Sequence, residues 1–176
     1  MPAPLELVHS HTHSLRIASG EEALVVRVLT RDGEIGFGFT LNLDAAVARD
    51  MAAWDAAARR AKQPLWRLLG GKRQTPIVLR PAAGEGIDPW ATGGVEAVLA
   101  ARPRLLSAPH AHPWDIAWCA TLAASLGGES AIAVPGETKL APVEPAAAAG
   151  HGIDWSSEPQ FSKIRWLGPH DAARAA

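Results

Sequence analysis

Cysteine occurs once in the 176 residues, at Cys119, which excludes an internal disulfide and fits a reducing compartment. Runs of one charge are also missing: 17 basic side chains stand dispersed against 18 acidic ones, for a net charge of -1. Without a face that could neutralise several phosphates at once, nucleic acid is not an expected partner. No apolar stretch approaches the roughly 20 residues a membrane span needs, and the opening MPAPLELVHS has no basic segment followed by an apolar one. A cytoplasmic protein with no membrane partner is expected. Internal repeats are absent as well, so a stacked repeat architecture is excluded.

What is present is a globular composition, 48% hydrophobic and 20% charged, enough for one domain with a proper core or a small domain plus part of another. Residues 5–17, LELVHSHTHSLRI, alternate as a strand with Leu5, Leu7, His9, His11 and His13 on one face. Residues 22–40 read as a hairpin: β-branched residues run up to Thr30, Asp32-Gly33 supplies the turn, and Ile35, Phe37 and Phe39 alternate on the return. Val47, Met51, Trp54 and Ala58 then recur at helical spacing, with Asp44 as the N-cap and Arg59, Arg60 and Lys62 at the end that favours cations. Pro64 opens a second short helix and Gly70-Gly71 closes it.

From Thr75 the texture changes. TPIVLRP is a short buried-type strand, AAGEGIDPWATGG a Gly- and Pro-rich loop, and VEAVLAA about two turns of helix. RLLSAPH reads as a strand ending at a proline, WDIAWCATLAASLGG as a helix closed by Gly127-Gly128, and SAIAV as a last strand. The expected class is α+β, with a small unit over 1–75 and a second over 76–176, which the resemblance below reads as a capping-like domain and a partial barrel.

Several pieces, in this order, resemble the enolase superfamily, in particular its mandelate racemase and muconate-lactonising branch and the related acid-sugar dehydratases. VVRVLTRDGEIGFGF is similar to the hairpin of that family's N-terminal capping domain. ARDMAAWDAAARRAKQPLWRLLGG, the most specific stretch, matches its helix with Trp-Asp followed by Pro-Leu-x-x-Leu-Leu-Gly-Gly. TGGVEAVLA is similar to the helix after the sixth barrel strand, SAPHAHPWDIAWCATLAA to the end of the seventh strand and its helix, and VEPAAAAGHGIDWS to the C-terminal region.

The resemblance implies Mg²⁺-assisted removal of the proton α to a carboxylate by a Lys or His base, with the metal stabilising the enediolate. It further implies that His110 stands at a family base position and that Glu137 lies at the end of the eighth strand, where it could act on a small carboxylate ligand. Three acidic metal ligands would come from the third to fifth strands, and a Lys-x-Lys pair from the second. Here the chain passes from a strand-one-like segment, Ile77–Leu79, to the strand-six-like end at Gly93-Gly94 with no room for strands two to five. At 176 residues it is also short of the roughly 250 of a complete eight-stranded barrel. The lysines are Lys62, Lys72, Lys139 and Lys163, none in Lys-x-Lys, and the acids between Thr75 and Pro109 are only Glu85, Asp88 and Glu96. The sequence therefore predicts a shortened relative, an incomplete barrel lacking metal-dependent proton abstraction and with no cofactor of its own.

Two other readings stand beside it. In one, an active isomerase or lyase uses Mg²⁺ in a site completed by missing segments or a partner chain. In the other, His9, His11 and His13, about 6.5–7 Å apart along one strand face, bind Zn²⁺, Ni²⁺ or Cu²⁺; the bland counterpart is a polar strand face. His110 with His112 is a candidate metal pair that still needs further ligands, or else a strand-to-helix corner that Pro113 and Asp115 help to set. Cys119 and Trp54, Trp66, Trp114 and Trp118 read as core. Open strand edges left by a lost barrel arc predict a homo-oligomer.

Overall fold

A computed structural model describes residues 5–82, 85–136 and 141–166, which fall into two compact units, one of 5–57 with 155–166 and one of 58–154. The architecture is α+β: an antiparallel sheet with a helix in the first unit, a short parallel sheet with helices in the second.

In the first unit β1 (Leu7–Arg16), β2 (Glu22–Thr30) and β3 (Ile35–Thr40) form an antiparallel sheet in that order. The hairpin closes where the sequence places it: the Gly33 amide donates to the Thr30 carbonyl at 3.0 Å and Gly33 takes φ 89°, a left-handed value that favours glycine. Helix α1 (Ala45–Arg60) starts at Asp44, whose Oδ1 accepts the amides of Ala46 and Val47 at 3.1 and 3.4 Å. The side of α1 that meets the sheet is built from Ala48, Ala52 and Ala56, packed on Val26 and Val28. Opposite Val28 and Val26 across the ladder stand Gly36 and Gly38. A methyl group on Gly36 would collide with the Ala52 carbonyl, and one on Gly38 with the Ala48 carbonyl. Small residues on both partners thus let helix and strand approach closely. Asp55 then accepts the Phe37 amide at 2.9 Å, so a buried carboxylate satisfies a donor of the strand at the sheet's end.

The other face of this sheet carries rings. His11, Arg27 and Phe37 form one cross-strand row and His13, Val25 and Phe39 the next. The segment 155–166, which contains 3₁₀ turns at Trp155–Ser157 and Pro159–Lys163, brings Trp155, Phe161 and Trp166 against them. Trp155 stacks on Phe161 at 4.6 Å, and the Arg27 guanidinium lies 5.6 Å from the Trp166 ring.

In the second unit, α2 (Leu65–Leu68) follows Pro64, and Trp66 donates from Nε1 to the Ala146 carbonyl at 2.7 Å. Three parallel strands come next, β4 (Leu79–Pro81), β5 (Leu105–Ser107) and β6 (Ala131–Val134), in the order β4-β6-β5. In a closed eight-stranded barrel the last strand lies between the seventh and the first. That is the order found if β4, β5 and β6 stand for the first, seventh and eighth. Beyond β5, Ile87 makes an isolated parallel bridge to Leu106, so Leu79, Ile132, Leu106 and Ile87 form one level apolar row.

Two expectations need correction. The stretch around Asp88 is not all loop: Pro89–Thr92 forms a one-turn helix α3, with Asp88 Oδ1 accepting the Trp90 amide at 2.9 Å. Nor are both sheet edges open. Ile87 donates to the Leu105 carbonyl and accepts from Ser107, at 2.9 and 2.8 Å, while Ile77 and Val143 exchange two backbone hydrogen bonds at the start of the first strand. The outer side of β4 in the parallel sheet is three residues ending in proline, a poor pairing template.

Helices α4 (Val95–Ala101) and α5 (Pro113–Ser125) complete the unit. Trp114, Trp118, Cys119 and Leu122 of α5 are buried, as are Trp54 and Trp66, so these tryptophans are core. No helix of the described residues is long and apolar enough to cross a membrane.

Candidate functional site

The corner after β5 is where strand, turn and helix bring titratable groups together. The Ala108 amide still bonds to Ala133 of β6 at 2.9 Å, and the Ala111 amide turns back to the Ala108 carbonyl at 3.1 Å. Ala111 takes φ 50°, a strained left-handed value for a residue with a Cβ. The chain is thereby swung sharply into α5. His112 is the N-cap: its Nδ1 accepts the Trp114 amide at 3.0 Å, and Pro113 occupies the first helical turn, where a missing N–H costs nothing. An Nδ1 that accepts a hydrogen bond carries no proton, so neutral His112 is protonated on Nε2.

Asp115 closes the corner from inside. It is buried, its Oδ2 accepts the His110 amide at 3.2 Å, and its Oδ1 has no hydrogen-bond partner among the described residues. Burial raises the Asp115 carboxyl from 3.8 to about 6, against the opposing pull of the His110 amide and of the His110 and His112 rings. One turn on, burial pushes the Cys119 thiol well above its ordinary value, reinforced by the charges of Asp115 and Asp88. Cys119 is an inert core thiol, not a nucleophile.

His110 is exposed, and its backbone amide donates to Asp115 while its ring acts on the same carboxyl through charge. The residue sequence reading missed is therefore Asp115 as a buried carboxyl; its position in the first turn of a helix opening HPWD was the available signal. His151 was missed as well. It is buried, its Nδ1 accepts the Ile153 amide at 3.2 Å, its carbonyl accepts the Thr121 hydroxyl at 2.9 Å, and its ring stands edge-on to Trp118. A histidine flanked by Gly150 and Gly152 was the only hint. Glu137 lies outside the described residues.

In the first unit, His9, His11 and His13 do share one face of β1, as the alternation predicts. The structure brings His11 and His13 to a ring separation of 6.0 Å, and both meet Trp166 edge-on, at 5.7 and 6.2 Å. Among the described residues no group of three His, Cys, Asp or Glu side chains is placed to hold a metal ion. His11 and His13 are engaged in aromatic packing on this strand face. The same finding applies to Mg²⁺ at the β5 corner: Asp115 stands with two histidines, one already committed as a cap, and these residues do not fit that ion. What the corner offers chemically is a buried carboxyl raised to about 6, with the His110 and His112 rings beside it.

The sheet of three strands with its close-packed helix is an enolase-type capping fold. Residues 23–70 match the family model for the mandelate racemase / muconate lactonizing enzyme N-terminal domain. Similar solved structures include a mandelate racemase/muconate lactonizing enzyme from Bordetella bronchiseptica RB50, 18% identical over 71% of this chain and 58% of that one, with a TM-score of 0.39. A racemase from Streptomyces coelicolor A3(2) with bound magnesium is 19% identical over 76% and 55%, TM-score 0.38. Muconate lactonizing enzyme from Pseudomonas putida is 18% identical over 73% and 51%, TM-score 0.35. The chain thus spans a little over half the length of these structures. No curated protein matches it.

Proposed function

We propose that this chain is a shortened member of the mandelate racemase and muconate-lactonising group that does not carry out metal-dependent proton abstraction from carboxylates. The observation that carries the reading is the level row Leu79, Ile132, Leu106 and Ile87. Strand-one-like and strand-eight-like segments are neighbours, and the far side of the strand-seven-like segment is met by Ile87, only six residues after Pro81. No place is left in the chain for the strand tips from which the resemblance draws its metal ligands. His110 and Asp115 supply a general base at most, and a base of that strength cannot remove an α-proton without a Lewis acid to hold the enediolate.

The test is hydrogen exchange at the α-carbon. The purified chain, with millimolar MgCl₂ in D₂O, is incubated with mandelate and with a panel of acid sugars, and the α-proton signal is followed by NMR. No loss above the buffer blank is expected. Mg²⁺-dependent exchange, abolished in H110A, would overturn the proposal in favour of an active racemase or dehydratase.

A further inference from the structure

We infer that the second unit carries an anion-binding cleft on the side where α2, α4 and α5 end, suited to a small molecule with two or more negative charges on oxygen. The cleft has a volume of about 430 Å³, within the range of small-ligand sites, and is lined by Lys72, Arg73, Arg102, Ser125, Leu126 and Gly127 among others. Three of its side chains are cationic, and none of the described residues that line it is acidic. Among the described residues Lys72, Arg73 and Arg102 make no ion pair.

The backbone supplies an independent observation. Arg102 caps α4 at φ 44° and ψ 56°, a left-handed conformation at the helix end where glycine is the favoured residue. A side chain kept there carries a steric cost of about 1 kcal/mol. That cost is not repaid by any side-chain hydrogen bond or ion pair among the described residues. Projecting a guanidinium into the cleft, where it can grip two oxygens at once, is what the position gains. Cations near helix C-termini also soften the unfavourable end of the helix dipole. That role needs no ligand and predicts no saturable binding.

Isothermal titration at low ionic strength separates the two, with pyrophosphate and citrate as probes. Saturable one-to-one binding on the order of 1 mM or tighter is expected for at least one of them, weakening with added NaCl. R102G should lose binding at least about tenfold while its unfolding midpoint holds or rises, because glycine relieves the left-handed strain. K72Q/R73Q, two exposed changes, should lose binding with stability unchanged. Preference for pyrophosphate would support the inference and assign phosphate chemistry; preference for citrate would support it and assign a polycarboxylate. No saturation by either probe at about 10 mM, or equal binding by wild type and R102G, would overturn it.

Discussion

Replacing Asp115 by Asn removes a charge that the fold pays to bury. The carboxyl stands at about 6 in the folded chain against 3.8 when solvated. A folded-state value above the unfolded one means that the native state binds more protons between those pH values. Ionisation therefore costs stability as pH rises from about 4, and the whole cost is present above about 6. Two units at about 1.4 kcal/mol each give about 3 kcal/mol. Asn cannot ionise. Its amide oxygen still accepts the His110 amide, and its NH₂ takes the place of the unpartnered Oδ1, which adds a pH-independent offset of either sign. The diagnostic quantity is the difference between D115N and wild type in urea unfolding at pH 4 to 8. It should move in favour of the variant by about 3 kcal/mol, mostly below pH 6.5, other carboxylates cancelling in the comparison. Parallel stability curves would show that Asp115 titrates as an ordinary carboxylate and that the corner is not dry.

Two further changes test the packing. Gly38→Ala sets a methyl group against the Ala48 carbonyl, where backbone and not a movable side chain is in the way; a loss of about 1–3 kcal/mol or more is expected in chemical unfolding. His112→Ala removes the acceptor for the Trp114 amide and should cost about 1 kcal/mol.

How much could be read in advance varies with the range of the interaction that decides each element. The hairpin was legible because Asp32-Gly33 and the alternation on either side are local instructions. The N-cap at Asp44 was legible for the same reason. Periodicity marked α1 as a helix but singled out Val47, Met51, Trp54 and Ala58, and only the structure shows that Ala48, Ala52 and Ala56 lie against Gly36 and Gly38. Alanine reads as neutral in any hydrophobicity pattern, so its use as a contact surface is invisible without the partner. Helix α3 was hidden by the glycines around it, although Asp88 before Pro89 is a standard cap and first-turn pair. The HPWD corner was recognised as a corner, yet the burial of Asp115 depends on side chains distant in sequence. The rings of Trp155, Phe161 and Trp166 follow no period of their own; what they cover is set by the strands of residues 7–40.

The order β4-β6-β5 has a consequence for how the chain is made. The central strand of the parallel sheet, Ala131–Val134, is buried throughout, and it is the last of the three to leave the ribosome. Until it emerges, Leu79–Pro81 has no strand to pair with, and Leu105–Ser107 has only Ile87. The second unit must therefore wait for most of its own length before its sheet can close, whereas the first sheet has all three strands by Thr40. A chain stopped before Ala131 should keep the antiparallel sheet's strands but expose the apolar row of the other, a form prone to aggregate during synthesis.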